Sequence, residues 1–354
     1  MMKSLAEEHI NIPHGILRDF CIAVLKNRSV KDDVLYHVVE SLIQTSLRGV
    51  DSHGIELLPH YICALDAGRI NPDPKYRYTT TAQSTGKLDA DHTFGHAAGA
   101  EGMVRAVEMA RTSGIGAIAV YNSTHFGAAA YFSFLASKQD MIGMSFAYAD
   151  PLMLSYSGVR PFFGPNPICF TAPCENEGPF CLDMSTTLIS WNKLRSYKAG
   201  GKEIPSDWAC DEEGNLTTNP NEAVSLLPIG KYKGFGLSMM IDILCSLLSG
   251  MPFGRDITKM YTDPIEKKRY LGHFFIAIDI ACFAKVSTFK KRLQEMMDAV
   301  RSEPAKNREV PVMVPGDPEK KMHEIRIKTG IPVSRMTYEK FKQISAEIGF
   351  ELLK

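Results

Sequence analysis

The 354 residues carry 40 Lys+Arg against 40 Asp+Glu, with 45% hydrophobic and 23% charged residues. That balance excludes a strongly basic nucleic-acid binder and a face built for an anionic membrane. It is ordinary for a globular chain long enough to bury a large core without cross-links.

In chain order, Lys31 to Leu47 places Val34, Leu35, Val38, Val39, Leu42 and Ile43 at helical spacing, and Arg48-Gly49 ends the run. Asp51-Ser52 offers capping oxygens ahead of a second helix over Ile55 to Ala67. Tyr76 to Asp91 reads as extended. Gly102 to Thr112 reads as a helix closed by Gly114. Ile115–Tyr121, Ala128–Gln139 and Met141–Tyr148 read as strand, helix and strand, the unit of a sheet covered by helices. Phe235 to Leu248 is a helix, Gly272 to Ile280 a strand, Phe289 to Val300 and Tyr338 to Ile348 helices. Lys306 to Lys321, polar with three prolines, is expected to be irregular.

Eight cysteines form no Cys-x-x-Cys pair, so reduced thiols are expected rather than a zinc ribbon or redox motif. Met1 to Ile10 lacks a basic-then-apolar leader pattern. The apolar run Phe235 to Leu248 is broken by Asp242 and is too short to span a bilayer. A cytoplasmic location, with no membrane and no nucleic-acid partner, is the expectation.

A dinucleotide loop is the first chemistry to seek. Gly114-Ile115-Gly116-Ala117-Ile118-Ala119 fits Gly-x-Gly-x-x-Ala formally, but these glycines follow a helix and lead into a strand. The fingerprint needs the reverse order, so that a helix N-terminus meets the pyrophosphate. Gly234-Phe235-Gly236 does open a helix beside Lys231 and Lys233, where backbone N–H groups and a lysine can hold an anion or simply pack.

His125 lies in Asn122-Ser123-Thr124-His125-Phe126-Gly127, at the carboxyl end of a buried strand where ligands of α/β sheets collect. An imidazole there can exchange a proton with a carbinol oxygen, or make a structural bond in the turn. His53, in Ser52-His53-Gly54, sits at a helix start, which favours a neutral ring or a surface cap. His53, Glu56 and His60 can share one helical face, but no further acidic or cysteine cluster makes a metal site of them, and no metal is expected. Asp183 follows Cys181-Leu182 and can orient an imidazole or cap a helix. Arg160, Arg255 and Arg269 each lie near turns, and a guanidinium is the group that grips a carboxylate with two parallel bonds. No Gly-x-Ser-x-Gly elbow supports a hydrolase.

Five segments, Leu47 to Gly54, Asn122 to Gly127, Phe163 to Pro167, Asp183 to Thr187 and Lys233 to Leu237, occur in the order of the malate/L-lactate dehydrogenase family that is distinct from the Rossmann-type enzymes. The chain resembles that family over nearly its whole length, and Met251 to Arg255 with Met260-Tyr261 looks most like its ureidoglycolate branch. The resemblance implies an α/β fold of mixed sheets with covering helices. It implies a non-Rossmann dinucleotide-binding domain over 121–300 and a helix-rich domain over 1–120 with 301–354. It further implies a homodimer, NAD as cofactor with NADP as the alternative, and a small 2-hydroxy or 2-keto acid as substrate. By the same resemblance His125 or His53 transfers the proton, with Ser52 and Asp183 as relay partners. Thr187, Leu188 and Ile189 would line the cofactor, Lys233 would lie near its phosphates, and Gly316-Asp317 would close over the adenosine end. Arg48 and Arg269 fall on the substrate side. The family places an arginine five residues after the serine of Ser-His-Gly, where this chain has Leu57. A leucine cannot pair with a carboxylate, so either another arginine substitutes or the substrate differs; a relative that binds dinucleotide without turning over a 2-hydroxy acid is the alternative reading.

Overall fold

Two apolar stripes on consecutive helices set up one of the two large cores. In the computed structural model, which describes residues 9–307 and 309–352, α1 (His14–Asn27) and α2 (Asp32–Leu47) bury Leu17, Phe20 and Val24 against Val34, Val38 and Leu42. Helix α3 (Leu58–Asp66) adds Leu58, Tyr61 and Ile62 to the same cluster. The C-terminal end returns to it. Strand β1 (His9–Ile12) pairs antiparallel with β13 (Ile331–Ser334), and α10 (Arg335–Ile348) inserts Phe341 against Phe20 at a ring separation of 5.1 Å. The leader expectation concerns residues 1–10, of which 1–8 lie outside the described residues.

The second large core belongs to a seven-stranded sheet. Its strands are β2 (Arg77–Ala82), β3 (Thr85–Asp89), β4 (Ile115–Ser123), β5 (Met141–Ala147), β8 (Ile168–Ala172), β9 (Phe180–Met184) and β12 (Leu271–Asp279), in the spatial order β2-β3-β4-β12-β5-β8-β9. A smaller sheet joins β6 (Met153–Leu154), β7 (Pro161–Phe163), β10 (Ala209–Cys210) and β11 (Ser225–Leu226). In the large sheet only β3 and β4 run parallel as neighbours among the described residues; every other adjacent pair is antiparallel. This is a mixed sheet rather than a doubly wound one, which explains why no Rossmann fingerprint is present. The strand–helix–strand unit read from the sequence is real, with α5 (Ala130–Ser137) between β4 and β5. Those two strands are nevertheless not neighbours, because β12 threads between them antiparallel to both.

Helix α4 (Gly95–Ser113) covers the sheet and ends on Gly114 at φ +79°, the left-handed C-cap expected. It starts seven residues before the sequence reading placed it, through turns that contain Gly95 and Gly99, and Gly102 within it is a packing notch. A Cβ there would lie 2.8 Å from Phe275 and from Val120. The Gly-x-Gly-x-x-Ala match resolves in the same way: a Cβ on Gly116 would sit 2.0 Å from the Ala106 carbonyl oxygen of α4. The glycine allows β4 to touch the helix backbone, and its run leads into a strand instead of opening a helix.

The remaining helices are α6 (Trp191–Ala199), α7 (Tyr232–Asp242, continued by a π turn over Ile243–Leu247), α8 (Val286–Arg301) and α9 (Asp317–Thr329). The described residues from 306 to 316 are irregular as expected, and helix α9 corrects that reading only from Asp317 on. Pro318 stands in its first turn, where a missing N–H costs nothing, so that proline marks a helix start. The expected helix over Ile55 to Ala67 also begins differently. Short 3₁₀ turns at Asp51–His53 and Ile55–Leu57 precede α3, and their N-cap residues, Val50 and Gly54, supply no side-chain cap.

Replacing Gly116 by Val should force β4 away from α4 and cost about 1–3 kcal/mol as overpacking. A thermal scan should show a lower apparent Tm, and an unchanged transition would contradict this reading of Gly116.

Candidate active site

The loop after β4 carries His125, and it is held from below. His273 of β12 is buried, and its Nε2 lies 2.9 Å from Ser123 Oγ and 3.1 Å from the Thr124 carbonyl. Its ring stacks on Phe126 at 4.7 Å. Thr124 Oγ1 accepts from Gly95 N–H at the start of α4. These bonds fix the loop from both sides, so His125 stands at the carboxyl end of β4 with Nδ1 2.7 Å from the Tyr61 hydroxyl.

His53 arrives from the helical core. Arg326 of α9 donates to Asp51 and to the Ser46 carbonyl, and Ser46 Oγ accepts from Ile55 N–H, so the 3₁₀ turn is tied down at both ends. Asp51 is therefore an anchor and not a cap. Ser52 Oγ lies 2.8 Å from His53 Nδ1, and the His53 ring stacks on His125 with centroids 5.7 Å apart. Asn192 at the start of α6 donates to the Ser52 carbonyl. Glu56 turns away from this pair and accepts from Ser334 and Thr337, so the His53, Glu56, His60 trio does not assemble.

Both imidazoles face a cavity of about 560 Å³, whose wall also includes Ser52, Arg48, Asp183 and Arg269. Burial is the first cause of a low His53 pKa, pushed down to about 4. Burial also leads for His125, with His53, Arg269, His96 and His60 adding to it, and holds that ring well below the usual histidine range. Both rings are neutral near pH 7. Asp183, on β9, accepts from Ala130 N–H and so caps α5 from another strand; enclosure in the fold pushes its carboxyl up to about 6. It makes no bond to either imidazole.

Arg269 is 2% exposed, and one guanidinium nitrogen donates to Asp150 at 2.5 Å. Its Nε and Nη1 have no partner among the described residues. A buried guanidinium with two idle donors on a cavity wall is the group a carboxylate requires. Arg48 lies over the Phe134 ring at 4.6 Å and donates to Cys181 Sγ at 3.5 Å, beside the same cavity. Leu57 is buried in the wall where the resemblance led us to expect an arginine.

The residues assigned to the cofactor lie outside this wall. Thr187 Oγ1 donates to the Ile189 carbonyl and closes a turn next to Met184 and Ser185, leaving Leu188 exposed. Lys233 is exposed in the first turn of α7. Gly316 takes φ +99° ahead of α9, and Asp317 accepts two bonds from Arg301.

Sequence reasoning missed Tyr61 and Asp150, and it read Met260-Tyr261 of the strap over residues 259–264 as a mark of the ureidoglycolate branch and not as part of a site wall. Asp150 follows β5 and was accessible to the same strand-end rule that found His125. Tyr61 carries no local signal. The strap is pinned from far away: Asp150 accepts from Met260 N–H, and buried Arg69 donates to the Met260 and Pro264 carbonyls. Lys259, Met260, Tyr261 and Thr262 thereby join the cavity wall.

Two neutral imidazoles on one wall with a guanidinium that keeps two unpaired donors are equipment for moving a proton on a small acid, the class of the hydroxy-acid dehydrogenases. A family model described as malate/L-lactate dehydrogenase matches residues 12–342. Malate dehydrogenase of Pyrococcus horikoshii is 33% identical over 98% of this chain and 97% of its own length. An Escherichia coli protein named ureidoglycolate dehydrogenase (NAD(+)) is 34% identical over 73% of this chain and 74% of its own. The crystal structure of malate dehydrogenase from Entamoeba histolytica matches with a TM-score of 0.92 at 29% identity, covering 97% of this chain and 99% of that one. This chain belongs to the malate/L-lactate dehydrogenase family.

Arg69→Met should free the strap, since two buried carbonyls lose their donors. Amide hydrogen exchange at residues 259–264 should accelerate while that of β4 and β12 stays slow; equal protection in the variant would contradict the pinning role.

Proposed function

We propose that this protein transfers a hydride between NAD(P) and a small 2-hydroxy acid of the malate, lactate or ureidoglycolate kind. Arg269 holds the substrate carboxylate and His125 exchanges the hydroxyl proton. The observation that carries the reading is the pairing, on one cavity wall, of a buried guanidinium with two idle donors and a neutral imidazole.

The cavity is larger than a small hydroxy acid requires and falls within the roughly 300–1,000 Å³ typical of sites for larger ligands. Its side from Gly127 to Ala129, facing Pro165 and Pro167, is backbone and small side chains, which suits a flat ring lying beside the acid. Those residues fit a nicotinamide, which supplies the hydride acceptor or donor when bound. Thr187, Leu188 and Ile189 continue from that wall and are assigned to the dinucleotide, with Lys233, Gly316 and Asp317 toward its phosphates and adenosine. The stretch 121–300 carries most of the cofactor, and 1–120 with 301–354 carries Ser52, His53 and the helical core while lending β2, β3, α4 and the first residues of β4 to the large sheet and Gly316-Asp317 to the cofactor.

In oxidation the neutral imidazole of His125 takes the hydroxyl proton as C2 loses its hydride. In reduction the protonated ring returns it and meets the developing alkoxide. Arg269, fixed by Asp150, keeps the acid from rotating away. His53, with Ser52 at its Nδ1, stacks on His125 and is the second candidate for the proton-transfer role, and Asp183 keeps α5 and its cavity-facing turn in place. Arg48 flanks the substrate side. Because Arg269 supplies idle guanidinium donors, Leu57 does not remove carboxylate binding, and catalytic turnover is favoured over a silent dinucleotide binder.

We also infer a homodimer. Met240, Ile243 and Leu247 are exposed at helical spacing along α7 and its π turn, an apolar row that suits burial against a second copy. The eight cysteines, none of them paired, suit the cytoplasm. Among the described residues no helix is long and apolar enough to cross a membrane.

His125→Asn should lower kcat by about 10²–10⁴-fold while leaving NAD(P)H affinity intact. The low pKa gives a sign in the wild type. Oxidation needs the neutral ring, so its kcat/KM should stay flat as pH falls through the ordinary histidine range. Reduction needs the protonated ring, so its kcat/KM should rise as pH falls. Initial rates at the nicotinamide absorbance with a panel of keto acids check both; full turnover in the variant defeats the assignment. Substituting Ile243 and Leu247 together by Glu should halve the mass seen in light scattering, and an unchanged mass would move the interface elsewhere.

A further inference from the structure

The identity of the residue behind the catalytic ring is set by the helical core and not by the sheet. Tyr61, on α3, is 1% exposed, and its hydroxyl is 2.7 Å from His125 Nδ1. Its ring is wedged edge-on by His96 at 4.8 Å and Phe94 at 6.3 Å, so the hydroxyl has little freedom to leave. His96 supports both partners: a Cβ on Gly127, two residues past His125, would lie 2.8 Å from its Nε2.

We propose that Tyr61 is a positioning residue that accepts a hydrogen bond from His125 Nδ1–H throughout the reaction, so that Nε2 alone exchanges the substrate proton. This rests on the reading of His125 as the proton-transfer group and adds which nitrogen acts and what fixes it. In oxidation the substrate O–H bond breaks and an N–H bond forms at Nε2, while the hydride leaves C2 for the cofactor. In reduction the same Nε2–H bond breaks and the proton joins the carbonyl oxygen as the hydride arrives. The Nδ1–H bond to the phenol oxygen is unchanged in both directions, so the ring need not flip.

The chemistry of the partner sets the acidity. The groups facing His125 from the surrounding elements are His53, His60, His96, Tyr61 and Arg269. None is an acid that ionises near neutral pH. Asp150 is engaged by Arg269, and Asp183 by the start of α5. Burial raises the Tyr61 hydroxyl well above its ordinary range, so it stays a neutral phenol. A phenol oxygen steadies an imidazolium less than a carboxylate would. The protonated ring is therefore a strong acid toward a ketone, in contrast to a histidine backed by aspartate.

The test uses protein with ¹⁵N-labelled histidine, without cofactor, and Tyr61→Phe beside the wild type. Wild-type His125 should show a protonated Nδ1 and a bare Nε2, and Tyr61→Phe should shift the proton toward Nε2. In the loaded enzyme the variant should lose about tenfold or more in reductive kcat. Its KM for cofactor should be unchanged, and the acidic limb of the profile should move to lower pH. A wild-type ring carrying its proton on Nε2, or a limb that stays in place in Tyr61→Phe, overturns the proposal. The spectrum needs no turnover, so it stands even if Tyr61→Phe folds poorly. Full turnover in His125→Asn would instead remove the functional reading beneath it.

Discussion

Strand β12 runs antiparallel between β4 and β5, and the site depends on that insertion. It carries His273 under the loop of His125 and leaves Arg269, two residues before its start, at the same end of the sheet. Neither group is near His125 in sequence. A single strand brings together the imidazole to which we assign the proton and the guanidinium to which we assign the substrate carboxylate. Gly272 allows it, since a Cβ there would lie 2.0 Å from the Cys245 carbonyl oxygen of the π turn.

Around that insertion two carboxylates are spent on cations, while Asp183 and Glu319 also stand on the cavity wall. Asp150 is bound to Arg269 and to Met260 N–H, and Asp51 to Arg326. The cationic and imidazole groups remain, and burial keeps the imidazoles neutral. Such a site resists a resting positive charge but attracts an anion, and an anion reaching Arg269 would in turn favour protonation of the nearby ring. On the proposed roles, substrate binding and the readiness of the acid would be coupled by ordinary electrostatics.

Much of this was legible in the residues. Helical spacing found α2, α8 and α10, and apolar runs found β4, β5 and β12, because those elements bury a regular face. His125, His53, Ser52, Asp183, Arg48 and Arg269 were all named in advance, and the fold brings all six to one cavity. What stayed hidden was long-range. Asp150, Tyr61 and Arg69 act through partners 119, 64 and about 190 residues away, and no local pattern records such a pairing. Helix α9 was hidden differently: its Pro318 reads as a breaker until its place in the first turn is known. The early start of α4 was hidden by glycines that weaken a helix in isolation yet let it approach the sheet.

The central claim is that a neutral, enclosed imidazole beside Arg269 becomes protonated when a 2-keto acid docks. Calorimetric titration of oxamate into the NADH-loaded protein at pH 7, repeated in buffers of different ionisation enthalpy, reads that proton directly. The account predicts uptake of about one proton per site, because a depressed pKa rises through the working pH on binding. Binding with no buffer dependence, or no binding at all, would contradict it.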